Sequence, residues 1–168
     1  KLAARLRSLG FEVTEKVGGE GVVGVLKNGE GPVVMLRTDL DALPVEEKTG
    51  LPHASRALGK DDHGQPIPVM HACGHDLHMT VWTGAATLLA RAKESWRGTL
   101  VVVGQPAEEK GAGAETMLKD GLFTRFPRPS FAVALHVTPD LPAGQVGVTP
   151  GPAFASVDSV DVTIYGQG

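Results

Sequence analysis

A chain of 168 residues is long enough for one domain of ordinary size, and an apolar content of 42% suffices to bury a core. The formal charge of −3, with acids and bases interleaved, provides no basic stripe for a phosphate backbone and no polybasic patch for lipid, so neither nucleic acid nor membrane is an expected partner. No stretch approaches the roughly 18 consecutive apolar residues of a membrane span, no export signal is readable at the N-terminus, and the single cysteine closes no intrachain disulfide, which points to a reducing, cytoplasmic setting.

In chain order, Leu2, Leu6 and Leu9 of "KLAARLRSLGF" predict an opening helix that Gly10 stops. "FEVTEKV" and "GVVGVLKNG" read as strands joined by a glycine turn. "GPVVMLRTD", "GTLVVVGQPAEE" and "PSFAVALHV" each carry a short apolar run into polar residues, the pattern of central strands buried on both faces. Between the first two of these, Thr49 to Pro68 lacks periodicity and reads as a long surface loop. A helix is predicted from about Asp76 to Lys93 with Val81, Leu88, Leu89 and Ala92 on one side, and "GAETMLKDGLF" predicts a shorter one. The closing "VDSVDVTIYGQG" alternates like a strand. No capping residue precedes the first helix and no partner follows the last strand, so the expectation is a piece of a longer polypeptide, truncated at both ends. The alternation of strands and helices predicts an α/β fold, a three-layer α/β/α arrangement around a largely parallel or mixed central sheet.

In such sheets, sites collect at the carboxyl ends of the strands. Those ends carry Asp39 after "VVML", Glu108 and Glu109 after "LVVVGQPA", and His136 after "FAVAL". The loop "VMHACGHDLHMT" gathers His71, Cys73, His75, Asp76 and His78, and it leads into the long helix. Imidazole, thiolate and carboxylate are the groups that hold zinc and its first-row neighbours, and Gly74 lets Cys73 and His75 turn toward one point. A metal site assembled from several strand ends is therefore the leading expectation. Cys73 alone would read as a buried thiol, and a cysteine nucleophile paired with histidine is a competitor that leaves the Glu-Glu pair unexplained. His71 and His78 stay open between supporting partners, helix-surface residues and ligands, while Asp76 reads as an N-cap or first-turn acid. Of two adjacent acids, one can bind metal while its neighbour takes a proton from the attacking water and hands it to the leaving amine. Asp39 is either a turn residue or an acid that orients a ligand by a hydrogen bond. "GGEGVVG" is not followed by the helix a phosphate loop requires, and no Gly-x-Ser-x-Gly elbow is present.

Taken together and in order, "LRTDLDALPVEEKTGLPHAS", "VMHACGHDLHMT", "GTLVVVGQPAEEKGAGAETMLKDGLF" and "ALHV" resemble the amidohydrolase branch of the dinuclear metallopeptidase superfamily that includes aminoacylases and glutamate carboxypeptidases. The resemblance is to hippurate hydrolases, N-acyl-amino-acid amidohydrolases and the plant hydrolases of auxin–amino acid conjugates. It implies Cys73, His75, Glu109 and His136 as ligands of one or two divalent ions (Zn, Mn or Co), Glu108 as general base and acid, and Asp39 as the supporting acid. It also implies that residues 1–155 are the N-terminal part of a catalytic domain, and that 156–168 begin a lid domain that dimerises and binds the substrate carboxylate. A later return of the chain would supply one more histidine ligand. The expected reaction is hydrolysis of the amide of an N-acyl amino acid, releasing a carboxylate and a free amino acid. The alternatives are a metallo-carboxypeptidase or dipeptidase on the same scaffold, or a metal-binding module without catalysis.

Overall fold

The computed structural model describes residues 1–61, 63–152 and 160–167. These fall into two compact units, Lys1–Val137 and Thr138–Gly168. In the first unit, helix α1 (Leu2–Ser8) leads through Gly10, at φ +87°, into the antiparallel hairpin of β1 (Glu12–Val17) and β2 (Gly21–Asn28). Strand β3 (Val33–Asp39) follows, then the short β4 (Leu58–Lys60) and β5 (Pro66–Pro68), helix α2 (His75–Arg91) and strand β6 (Gly98–Gln105). Helices α3 (Gly113–Lys119) and α4 (Leu122–Arg125) precede β7 (Phe131–Val133). The main sheet is mixed, in the order β1-β2-β6-β3-β7; β6, β3 and β7 run parallel, and β2 pairs antiparallel with β6.

The apolar run of β6 explains the layering. Successive side chains point to opposite faces, so a strand apolar at every position needs a cover on both. Leu100 and Val102 pack with Leu6, Phe11, Leu26, Trp82 and Ala86 on the α1/α2 face. Val101 and Val103 pack with Val17, Val23, Val25, Met117 and Leu122 on the α3/α4 face. The register sets Leu26 opposite Leu100 and Val25 opposite Val101, which keeps each cross-strand pair on one face. Full burial of such side chains contributes on the order of 1.5–3 kcal/mol each relative to exposure. The expected three-layer α/β/α arrangement is therefore present.

Three local expectations differ. Helix α2 buries His75, His78, Trp82 and Ala86, and Leu89 packs beside them, but Leu88 is 70% exposed and Val81 also faces outward. The buried stripe begins on two histidines, which an apolar count leaves out, and continues through Trp82, whose Nε1–H donates to the Leu36 carbonyl at 3.0 Å. "PSFAVALHV" is no central strand: β7 has three residues at the sheet edge, and Phe131 is 63% exposed. The Thr49–Pro68 segment contains the β4–β5 ribbon, whose turn is closed by Asp61 accepting the His63 and Gln65 N–H groups, both at 2.8 Å. Proline at two of the three β5 positions removes ladder donors, so the ribbon is short and leaves little trace in the pattern.

In the second unit, the described residues are exposed and carry no helix or strand, with local turns such as Thr138 and Asp140 exchanging hydrogen bonds. Of the strand expected over 156–168, residues 156–159 and 168 lie outside the described residues, and 160–167 pair with no strand among them.

Candidate metal centre

Parallel β3 and β6 end side by side, with Asp39 in register with Gln105 and the Leu40 N–H donating to the Gln105 carbonyl at 2.8 Å. The chain leaving β6 turns at once: Ala107 takes φ +48°, and its carbonyl accepts the Gly113 N–H at 3.1 Å. A left-handed alanine is strained and persists only where its surroundings hold it. Here the start of α3 does so, because Gly113 packs so closely that a Cβ there would lie 1.5 Å from the Pro106 oxygen. This turn delivers Glu108 and Glu109. Gly113→Ala is expected to destabilise the fold by at least the roughly 1–3 kcal/mol of an overpacked site, read as a lowered Tm; an unchanged Tm would show that the turn yields freely.

His75 stands at the first turn of α2, buried, with Gly74 at φ +76° before it. Its Nδ1 lies 3.0 Å from the backbone carbonyl of Asp41. A carbonyl only accepts, so Nδ1 carries the proton and Nε2 presents a lone pair. That Nε2 is buried without a hydrogen-bond partner, 3.7 Å from Glu108 Oε2 and 3.9 Å from Glu109 Oε1. His136 uses the same device: Nδ1 donates to the Val137 carbonyl at 2.7 Å, and Nε2 faces Cys73 Sγ at 3.3 Å. Two imidazole lone pairs, two carboxylates and a thiol thus converge with few protons between them, and such a set fits a cation. Burial, and then the charge of Glu109, push the Cys73 thiol up, so it keeps its proton until a cation displaces it.

Among the described residues, three groups have ligand atoms within 4.8 Å of one another: Cys73, His75 and His136; His75, Glu108 and Glu109; and Asp39, His75 and His78. His75 belongs to all three. Bonds already made weigh against the last group. Asp39 accepts from Arg37 at 2.9 Å, and Arg37 also donates to Gln105 Oε1 at 2.9 and 3.1 Å. His78 Nε2 accepts the Val137 N–H at 3.0 Å, and burial followed by the neighbouring His136 holds this imidazole below its ordinary pKa, in the neutral form an acceptor needs. Burial pushes the Asp39 carboxyl up while Arg37 opposes it.

The structure therefore brings Cys73, His75, Glu108, Glu109 and His136 together, as the sequence led us to expect. Asp39 lies beside them but makes its side-chain hydrogen bond to Arg37, not to His75 or His136. The orienting contacts come from Asp41, which sequence reasoning missed: its carbonyl fixes His75, its Oδ1 lies 3.5 Å from His75 Nδ1, and its Oδ2 accepts the Glu109 N–H at 3.0 Å. The signal available was a second acid two residues beyond Asp39, just past the strand end. Asp76 is exposed in the first turn of α2, where an acid suits the helix dipole, while Gly74 takes the N-cap position. His71 joins none of the three groups among the described residues.

The family model for peptidase family M20/M25/M40 matches residues 35–168. An N-acetyl-L-cysteine deacetylase of Bacillus subtilis is 45% identical over 139 residues, 83% of this chain and 30% of that protein. A hippurate hydrolase of Campylobacter jejuni is 39% identical over 168 residues, 99% of this chain and 41% of that protein. Among solved structures, the Bacillus subtilis YXEP protein, a dinuclear metal binding peptidase from the M20 family, superposes with a TM-score of 0.76 at 35% identity, covering 90% of this chain and 39% of that one. The chain thus spans well under half the length of these relatives. No helix among the described residues is long and apolar enough to cross a membrane. With the family model matching residues 35–168 and relatives of 39% and 45% identity covering most of its length, the chain belongs to the M20/M25/M40 peptidase family of metal-dependent hydrolases, on its amidohydrolase branch.

Proposed function

We propose that residues 1–155 form the N-terminal part of the catalytic domain of an amidohydrolase that cleaves N-acyl amino acids, and that residues 156–168 begin its lid domain. The observation that carries this reading is the buried, unpartnered Nε2 of His75 facing both glutamates. Cys73, His75, Glu109 and His136 hold one or two divalent ions of zinc, manganese or cobalt. A bound ion supplies Lewis acidity, polarising the acyl carbonyl and acidifying water at the site. Glu108 is 38% exposed by side chain, open enough to receive a proton from the attacking water and pass it to the leaving nitrogen. The amide C–N bond breaks, giving a carboxylate and a free amino acid. Asp39 supports the site through Arg37, and Asp41 aims His75 and Glu109.

Similarity to the deacetylase and the hippurate hydrolase supports N-acyl amino acids as the substrate class. The complete protein works as a homodimer through its lid, and the lone cysteine of the chain suits a cytoplasmic setting. Assay of the complete polypeptide against N-acetylcysteine, hippurate and unblocked dipeptides tests this. Metal-dependent release of the free amino acid from the acylated substrates, lost on chelation, is expected; cleavage confined to dipeptides would replace the amidohydrolase reading with a peptidase one.

A further inference from the structure

We propose that His78 is a positioning residue that latches the backbone at Val137 onto the start of α2 and so holds His136 against Cys73. The inference rests on the reading of Cys73 and His136 as metal ligands and assigns a role to a histidine outside that set.

His136 needs such a device more than the other ligands do. Glu109 follows a long central strand and a turn locked by Gly113, and His75 sits on a helix. His136 follows a three-residue edge strand whose pairing with β3 ends at Leu36 opposite Val133. No sheet register carries residues 134–137 the rest of the way. Besides the Cys73 contact to His136 Nε2, two contacts from His78 hold them. The Val137 N–H donates to His78 Nε2 at 3.0 Å, and the His78 ring packs on His136 with centroids 4.5 Å apart. The Val137 side chain also occupies the space above Gly74: a Cβ there would come within 2.4 Å of Val137 Cγ2 and 3.6 Å of His78 Nε2. Backbone and side chain of one residue are thus seated on the same helical turn.

The platform beneath is buried and tied to the sheet. His78 is 2% exposed and lies on the buried stripe of α2, one turn before Trp82, which is tied to β3 through Leu36. An imidazole whose ε nitrogen accepts a backbone N–H is committed to that bond. The two proposed ligand histidines do the reverse, donating from Nδ1 to carbonyls and turning Nε2 toward the site, where that of His136 meets Cys73 Sγ and that of His75 has no hydrogen-bond partner. Adjacent histidines in one motif therefore perform opposite tasks, set by which backbone group each one meets.

The test uses the complete polypeptide titrated with Co²⁺, whose absorption reports a thiolate ligand. His78→Leu removes the acceptor; in His78→Gln the amide oxygen reaches to a similar distance and restores one. The expected result is a 10–100-fold loss of Co²⁺ affinity in His78→Leu, in the range typical of lost ligand-supporting contacts, with a weakened thiolate-to-cobalt band. Both return toward wild type in His78→Gln. His78→Asn, whose shorter amide stays polar on the same helical turn but does not reach the Val137 N–H, is expected to lose the band as well and decides the matter if His78→Leu does not fold. Wild-type affinity and spectrum in folded His78→Leu, or equal losses in the Leu and Gln variants, would overturn the latch. A wild-type protein with no thiolate-to-cobalt band would instead overturn the ligand reading beneath it.

Discussion

Glu108→Gln in the complete enzyme is expected to lower turnover of an N-acyl amino acid by about 10²–10⁴-fold, the range for loss of a general acid–base group, while metal content stays at the wild-type level. The geometry motivates the split between the two glutamates. Glu109 is the more enclosed, at 23% side-chain exposure against 38% for Glu108, and its backbone N–H is held by Asp41. A ligand benefits from being fixed, whereas a proton carrier must reach both the incoming water and the departing amine. The amide of glutamine keeps the shape of Glu108 and cannot accept the proton, so chemistry is lost without loss of the site. Metal analysis and steady-state kinetics on the same preparation decide the assignment: loss of metal with Glu108→Gln would exchange the roles of the two residues.

A second large effect is expected at His75. Among the described residues it is the one common to every candidate ligand group, and its Nε2 is a buried atom without a hydrogen-bond partner that faces both glutamates. His75→Ala should abolish tight metal binding and with it turnover. The fold should persist, because the α1/α2 side of the sheet is held by Trp82, Ala86, Leu100 and Val102 rather than by this imidazole. His75→Ala also leaves the Asp41 carbonyl without its Nδ1–H donor and opens a buried void, so the metal-free variant should melt lower than metal-free wild type, by an amount on the order of 1–3 kcal/mol, while remaining folded. Retained metal at wild-type affinity would remove His75 from the centre.

The contrast between these residues and the ones sequence reasoning misplaced is physical. The β6 run announces itself because a strand covered on both faces must be apolar throughout. Glu108, Glu109 and His136 stand out as polar groups just past such runs, and Cys73 and His75 as soft ligands gathered in the loop that leads into α2. Asp41 acts on His75 through its main-chain carbonyl, and a main-chain contact leaves no mark in the side-chain pattern. The inward face of α2 is hidden from the apolar pattern because His75 and His78 are polar by type but buried by role, so the apolar residues alone give the wrong phase. "FAVAL" looks like a central strand because it is apolar, yet its flank is exposed at the sheet edge among the described residues. Apolar content records what a face is built to touch, and only the topology says which element touches it.

The hydrogen bonds made by the backbone are what turn a cluster of ligating residue types into a directed centre. Carbonyls at Asp41 and Val137 each take an Nδ1–H, and in doing so aim two Nε2 lone pairs inward. Asp41→Asn keeps the His75 contact and alters the carboxylate at the Glu109 N–H, which makes it a milder change than His75→Ala.

X-ray absorption at the K-edge of the zinc-loaded complete protein tests the central claim most directly. The account predicts one sulfur neighbour at about 2.3 Å among nitrogen and oxygen ligands at about 2.0–2.2 Å, with the sulfur shell absent in Cys73→Ser. A first coordination shell of nitrogen and oxygen alone in the wild-type protein would contradict it.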